Sequence, residues 1–174
     1  MIIRNQKHKQ MNRFFIRERH QIITDTYHDL SINDRFMQEL EDIEWPMSYK
    51  TNVGAMMSDW TMKSDNVNTI YEWIISLLHS THHDLPVDVY ELYEAWFAKY
   101  NDGDSTQCHD HKFVPFSFVY FIHSPEGSSS LYFPTSNKEI TPTPGKVVIF
   151  PGNIEHYVPI NQCTNRVVLA GNIR

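Results

Sequence analysis

The chain of 174 residues is 41% hydrophobic and 13% aromatic, which is typical of a globular protein and excludes an intrinsically disordered one. Its formal net charge of −6 gives no general reason to expect nucleic acid as a partner. No stretch approaches the roughly 18 apolar residues of a membrane span, and no secretory signal is visible at the N-terminus. We therefore expect a cytoplasmic protein with no membrane partner.

The charge is unevenly distributed along the chain. Residues 1–20 contain six basic residues and one acidic residue, a net charge of about +5, which leaves about −11 for the remainder. We interpret this segment as a solvated basic extension, and the alternative is an arm that binds a polyanion such as nucleic acid. The chain length suits one domain, which we assign to residues 21–174.

Two helices are predicted in the first half of the chain. The first begins at about Ser31, carries apolar residues at helical spacing as far as Ile43, and is ended by Pro46. Residues 47–63 are irregular, and we expect them to wrap an edge of the fold. The second helix runs over about residues 65–80, and its broad apolar face predicts packing on a sheet.

The pattern changes to strands at about residue 87. Turns that contain Gly, Pro, Asn or Asp separate segments rich in aromatic and β-branched residues. We predict strands at 87–100, 113–122, 129–133, 146–150, around His156 and at 166–173. Many short strands of this kind indicate a sandwich or barrel. The predicted fold is α+β, mainly β: a jelly roll with flanking N-terminal helices and a core at about 87–174.

Three histidines are candidate metal ligands. His109 and His111 are two apart in a segment that we predict to be extended, so both side chains should project from one face. His156, from a distant strand, could complete a three-point site for a transition metal. A single His-x-His pattern is more often structural, so the prediction depends on His156.

Arg166 is the candidate partner of an anion. It follows His156 by ten residues, roughly 33 Å on one continuous strand. If the chain turns at residues 161–164, hairpin pairing puts Arg166 opposite about Pro159, roughly 10 Å along from His156. A short dicarboxylic acid could bridge that gap, with one end on the metal and the other held bidentately by the guanidinium.

This half of the chain resembles the Fe(II)/2-oxoglutarate-dependent dioxygenases. The likeness is strongest to the prolyl-hydroxylase-like branch found in phages and marine bacteria, and it covers about residues 90–173. Its most specific parts are the run PGKVVIFPGNIEH at 144–156 and the spacing of ten between His156 and Arg166. His-x-His at 109–111 and the strand segments at 118–122 and 131–134 also match.

The resemblance implies a double-stranded β-helix with Fe(II) held by His109, His111 and His156. It also implies that Arg166 binds the distal carboxylate of the cosubstrate 2-oxoglutarate. Tyr100 matches a tyrosine of the cosubstrate pocket, and the alternative is an ordinary core or rim aromatic. The implied reaction hydroxylates a peptidyl or free amino acid, such as proline, with molecular oxygen, and it releases succinate and CO2. No catalytic side chain is expected beyond the metal ligands.

Two positions depart from the family pattern. The broad superfamily carries Asp or Glu where this chain has His111, since the usual facial triad is two histidines and one carboxylate. Asp110 is the alternative second ligand, although it should point to the opposite face of a strand. Phe121 stands where prolyl hydroxylases carry a tyrosine hydroxyl, which leaves Arg166 with fewer partners for the distal carboxylate.

Two further functions stay open at this point. One is a three-histidine cupin-type dioxygenase that needs no keto acid, and the other is a non-catalytic jelly-roll binding module. Trp60, Trp73 and Trp96 could line a pocket or fill the core, because periodicity does not separate those roles. Neither the substrate nor the oligomeric state follows from the sequence.

Overall fold

The computed structural model describes residues 19–81 and 90–174. Most of the predicted basic extension, and the start of the strand predicted at 87–100, therefore lie outside the described residues. Within the described ranges, no helix is long and apolar enough to cross a membrane.

The two predicted helices are α1 (Ser31–Glu39) and α2 (Asp65–Thr81). The second matches the prediction closely, but the first ends well before Pro46. The Glu41 N–H donates to the Gln38 carbonyl at 3.1 Å, one residue short of helical spacing. This tight turn closes the helix, so Ile43 packs on the core from a loop.

Two antiparallel sheets contain all the named strands of the described ranges. The six-stranded sheet contains, in spatial order, β1 (Ile23–Thr26), β9 (Lys146–Pro151), β6 (Phe116–His123), β11 (Arg166–Ile173), β4 (Leu92–Tyr100) and β3 (Met56–Met57). The five-stranded sheet contains β2 (Val53–Gly54), β5 (Ser105–His109), β10 (His156–Val158), β7 (Leu131–Phe133) and β8 (Lys138–Ile140).

The six-stranded sheet is buried on both faces. On β4, Phe97 packs in a core cluster with residues of both helices, whereas its neighbours Trp96 and Ala98 pack in a second cluster with residues of the five-stranded sheet. This alternation is the period of two expected of a strand. The molecule thus has three layers, and the predicted mainly β jelly roll with helices on one flank is confirmed.

Several short strands escaped the sequence prediction. The strands β1, β2, β3 and β8 contain two to four residues each, too few to display a period of two. Three of them precede residue 87, so the sheets draw on more of the chain than the predicted core at 87–174. The strand predicted from 113 begins instead at Phe116, because Lys112 and Phe113 form a turn and Pro115 has no N–H to donate.

The predicted hairpin between His156 and Arg166 is wrong. Strand β11 pairs with β4 and β6 in the six-stranded sheet, whereas β10 pairs with β5 and β7 in the other sheet. Arg166 does not pair with Pro159, and residues 161–164 carry the chain from one sheet to the other. The two predicted site residues therefore approach from opposite sheets.

A buried asparagine holds this crossover. The Asn161 amide donates to the Cys163 carbonyl at 2.7 Å and to the Asn101 carbonyl at 3.2 Å, and its oxygen accepts the Ser129 N–H at 3.1 Å. The side chain is fully buried. Its contacts join three separate loops, which a single-sequence pattern does not reveal.

The attachment of α1 to the six-stranded sheet depends on Phe36. This ring is completely buried and lies 5.6 Å from Phe97, centroid to centroid. We expect Phe36→Ala to lower the free energy of unfolding by about 3–5 kcal/mol, because a cavity remains where the ring packed. The measurement is urea denaturation of the full chain.

Phe113→Ala is the matched control, since that ring is 98% exposed. It should change the free energy of unfolding by less than about 0.5 kcal/mol. Equal losses in the two variants would contradict the packing described for Phe36.

Candidate metal centre

The three predicted histidines lie together. His109, His111 and His156 each offer one ring nitrogen, and these nitrogens lie within 4.8 Å of one another. His109 ends β5 and pairs directly across the sheet with His156, the first residue of β10, which brings their ring centroids to 4.4 Å. The ring of His111 lies 5.0 Å from that of His109 and 5.3 Å from that of His156. The three side chains are close enough to bind one ion.

His111 joins this cluster for a reason other than the predicted one. Strand β5 ends at His109, so alternation along a strand does not position His111. Its N–H donates to the Gly152 carbonyl at 2.6 Å, and its own carbonyl accepts from Val114 at 3.1 Å. A Cβ at Gly152 would lie 2.7 Å from the His111 carbonyl oxygen and 2.3 Å from that of Val114. The glycine of the PGN run is thus what lets the His111 turn pack here.

Asp110 lies outside the cluster. Its carboxylate pairs with Lys112 Nζ at 3.6 Å. The structure therefore brings a third imidazole, rather than a carboxylate, to His109 and His156. That these histidines bind a metal stays a prediction at this point.

Hydrogen bonds fix the tautomer of two of the imidazoles, and burial lowers the pKa of two. His109 Nδ1 lies 2.8 Å from the Gln107 carbonyl and His156 Nδ1 lies 3.0 Å from the Ile154 carbonyl. A carbonyl only accepts, so Nδ1 carries the proton and Nε2 keeps its lone pair for a ligand bond. Burial, with a smaller contribution from His109, lowers the pKa of His111 to about 4 and that of His156 to about 3. Both are therefore neutral at physiological pH.

Arg166 is a buried cation that lacks partners for two of its nitrogens. The side chain is 1% exposed, and neither Nε nor Nη1 has a hydrogen-bond partner among the described residues. Its Cζ lies 4.5 Å from the centroid of the Tyr100 ring and 5.7 Å from that of Phe121. Burial lowers the pKa of Arg166, but a guanidinium keeps its charge in proteins. A buried charge of this kind needs an anion.

One cavity between the sheets connects the arginine with the histidines. We call it the inner cavity; Arg166, Tyr100 and Thr106 line it together with the three histidines. Tyr100 pairs with Arg166 in the β4–β11 ladder, and its hydroxyl lies 2.7 Å from Thr106 Oγ1. Most other lining residues are apolar, and they include Val53, Ala98, Leu131, Phe150, Val158 and Val168.

The residues that line the inner cavity decide the roles of Tyr100 and of two tryptophans, which the sequence left open. Tyr100 is a buried aromatic and also lines the cavity, so its two predicted roles coincide. Trp96 lines the cavity as well, whereas Trp73 packs with the helix-side core against Tyr27. Thr106 was missed by sequence reasoning, because nothing nearby in the chain marks its hydroxyl as the partner of Tyr100.

Solved structures of oxygenases match most of this chain. The viral collagen prolyl hydroxylase of Paramecium bursaria Chlorella virus-1, in its 2OG complex, matches with a TM-score of 0.69 at 16% identity, over 89% of this chain and 95% of its own. A Pseudomonas putida prolyl-4-hydroxylase matches with a TM-score of 0.69 at 17% identity, over 89% of this chain and 92% of its own. A Burkholderia pseudomallei oxidoreductase of the 2OG-Fe(II) oxygenase family matches with a TM-score of 0.64 at 12% identity, over 87% and 83%.

The chain has the fold of these oxygenases. No family model and no curated protein matches the sequence. At identities below 20% the likeness establishes the double-stranded β-helix, and the activity depends on which residues line the cavity.

Substitution of His111 or of Asp110 should show which of the two is the metal ligand beside His109 and His156. We expect the purified protein to bind one equivalent of Co(II), a spectroscopic probe for Fe(II). His111→Ala should weaken this binding at least about tenfold, because it deletes a ligand. Asp110→Asn should leave it unchanged. The measurement is anaerobic titration followed by visible absorption.

His123→Ala is the matched control, because the His123 ring bonds the Asn165 carbonyl at 2.7 Å instead of lining the cavity. It should bind Co(II) as the unaltered protein does. Loss of binding in Asp110→Asn, with binding intact in His111→Ala, would show that the three-histidine set is wrong.

Proposed function

We propose that the protein is an Fe(II)- and 2-oxoglutarate-dependent dioxygenase. It hydroxylates a peptidyl or free amino acid, such as proline, and releases succinate and CO2. One observation carries this proposal: a buried guanidinium with two unpartnered nitrogens lines the same cavity as three converging histidines. The fold shared with prolyl hydroxylases, one of them in complex with 2OG, supports it.

The donor set fits iron. Imidazole nitrogen is a ligand for iron, and three protein ligands leave coordination positions open for small molecules. When bound, the iron with 2-oxoglutarate and oxygen supplies the oxidising power for hydroxylation. The Gln107 and Ile154 carbonyls orient the His109 and His156 side chains through Nδ1, so Nε2 is the nitrogen that each would offer to the metal.

Arg166 gives the cosubstrate its second anchor. Its unpartnered Nε and Nη1 can donate to a carboxylate, and a guanidinium grips such a group bidentately. The Tyr100 ring lies against the guanidinium, and the hydrogen bond to Thr106 fixes that ring. The apolar walls exclude water, which strengthens the charge interaction. Since the reaction needs no general base from the protein, the cavity requires no further titratable group.

The three-histidine set has an electrostatic consequence. With no carboxylate ligand, a divalent ion keeps its full charge until an anion binds. A dianionic keto acid would then be attracted by the metal at one end and by Arg166 at the other. This compensates for Phe121, which is fully buried and offers no hydroxyl to the distal carboxylate.

Arg166 also distinguishes the proposed enzyme from the two alternative functions. A cupin-type dioxygenase without a keto acid would explain the histidines, and a binding module would explain the jelly roll. The 2-oxoglutarate enzyme always brings a dicarboxylate into the cavity, whereas the other two functions pair the buried guanidinium only if their own ligand is anionic. An unpaired buried charge destabilises the fold. The arginine therefore favours the 2-oxoglutarate enzyme.

Removal of the Arg166 charge should weaken 2-oxoglutarate binding without loss of the metal. We expect Arg166→Gln to raise the dissociation constant for 2-oxoglutarate by roughly 10-fold to 100-fold, the equivalent of one charged hydrogen bond. The measurement is anaerobic titration of the Fe(II) protein, followed by the weak visible charge-transfer band. Co(II) binding should stay at one equivalent.

Arg174→Gln is the matched control, since Arg174 forms an exposed ion pair with Glu91. It should bind 2-oxoglutarate normally. Full succinate production by Arg166→Gln, or oxygen uptake that does not depend on 2-oxoglutarate, would contradict the proposed function.

A further inference from the structure

A second cavity of about 180 Å³ adjoins the inner cavity and is lined by two of the three histidines. We call it the outer cavity, and its lining includes His109, His111, Trp60, Trp96, Glu94 and Asn172. It shares Val53, Trp96 and the two histidines with the inner cavity. A metal on the histidines would therefore be reached from the outer cavity, while Arg166 occupies the inner one.

The β4–β11 ladder sets the order of these residues. Arg166 pairs with Tyr100, Ala170 with Trp96, and Asn172 with Glu94. Six residues separate Arg166 from Asn172, about 20 Å along the strand. The ring of His111 lies 6.2 Å from that of Trp96, so the histidine cluster stands between the two ends of the ladder.

Hydrogen bonds fix the carboxylate of Glu94 at the outer end. The Ser117 hydroxyl donates to Asn172 Oδ1 at 2.8 Å, and Asn172 Nδ2 donates to Glu94 Oε2 at 2.9 Å. Both Ser117 and Asn172 are buried. This chain of donors orients the amide, and the amide in turn orients the carboxylate. A carboxylate that hydrogen bonds fix in one orientation, in a cavity that two of the candidate ligands also line, is suited to binding one end of a substrate.

The charge of Glu94 has no cationic partner. None of the ion pairs found within residues 19–81 and 90–174 includes it. Lys112 is the one lysine or arginine among the described residues that line the outer cavity and the groove beside it, and Lys112 pairs with Asp110 at 3.6 Å. A molecule that enters from this side therefore meets net negative charge.

Two indole rings accompany the carboxylate. Trp60 is 40% exposed and Trp96 is mostly buried, and both line the outer cavity with Glu94. The faces of tryptophan rings attract cations, and a carboxylate next to them adds a charged acceptor. The combination is a site for an ammonium or guanidinium group.

We propose that Glu94, with Trp60 and Trp96, selects a substrate that carries a positive charge close to the hydroxylated carbon. This inference rests on the proposed function and narrows its substrate class. A free amine of an amino acid and a basic side chain within a peptide share the required chemistry. A neutral peptidyl proline does not.

The experiment compares charged probes with neutral partners of similar shape. One pair is N-acetyl-arginine amide and N-acetyl-citrulline amide, which tests a basic side chain. The other pair is proline amide and N-acetyl-proline amide, which tests a free amine. Binding is measured by anaerobic isothermal titration of the Co(II)-loaded protein saturated with 2-oxoglutarate. The dianion compensates the charge of the metal, and the readout does not require turnover.

We expect the charged member of at least one pair to bind about tenfold or more tightly, as one charge-assisted hydrogen bond predicts. Glu94→Gln should remove that preference, because it keeps the shape of the side chain and deletes its charge. Glu91→Gln is the matched control, since Glu91 pairs with Arg174 and does not line the outer cavity, and it should retain the preference.

Equal binding within both pairs, no binding by any probe at millimolar concentration, or a preference that survives in Glu94→Gln would each overturn this inference. Failure of the proposed function gives a different result: no succinate forms from 2-oxoglutarate in the unaltered Fe(II) protein. The titration reports on Glu94 in either case, so the two failures are distinguishable.

Discussion

The buried guanidinium of Arg166 is the constraint from which the rest of the site follows. A desolvated cation destabilises a fold by several kcal/mol unless an anion and hydrogen bonds compensate for it. Here the Tyr100 and Phe121 rings provide only weak attraction, and two nitrogens keep free hydrogen-bonding capacity. The first residue of β11 could be apolar at lower energetic cost, and the proposed anionic cosubstrate explains why a charged residue stands there.

The β4–β11 ladder places opposite charges six residues apart, and Trp96, which lies near the ring of His111, stands between them. Arg166 lies at the inner end of the β4–β11 ladder, and Glu94 lies at the outer end. Under the two proposals, an anionic cosubstrate and a cationic substrate would therefore bind at different positions along the ladder and would not compete for the same charge. The imidazoles of His111 and His156 are neutral, so the charge of a bound metal would be the dominant field at the centre.

Much of this site could be predicted from the sequence because its signals are local. The helix α2 has a clear period and the strand β11 is a continuous buried run after a turn, and both were predicted within about one residue of their bounds. Residue chemistry and spacing singled out His109, His111, His156 and Arg166, and the resemblance to the dioxygenases added Tyr100. All five line one cavity. The sequence did not predict a role for Glu94. Its neighbours in β4 are mostly apolar and aromatic residues typical of a core strand, so nothing in the pattern marked it as a site residue.

The sequence by itself determined the mainly β character, the second helix and the residue types of the site, since period and chemistry are properties of neighbouring positions. Only the tertiary structure decided that Arg166 and His156 come from different sheets, because strand pairing depends on contacts distant in the chain. It also decided that His111, and not Asp110, joins the cluster. That choice follows from the hydrogen bond to Gly152, some forty residues away, which bends the chain beyond the end of β5.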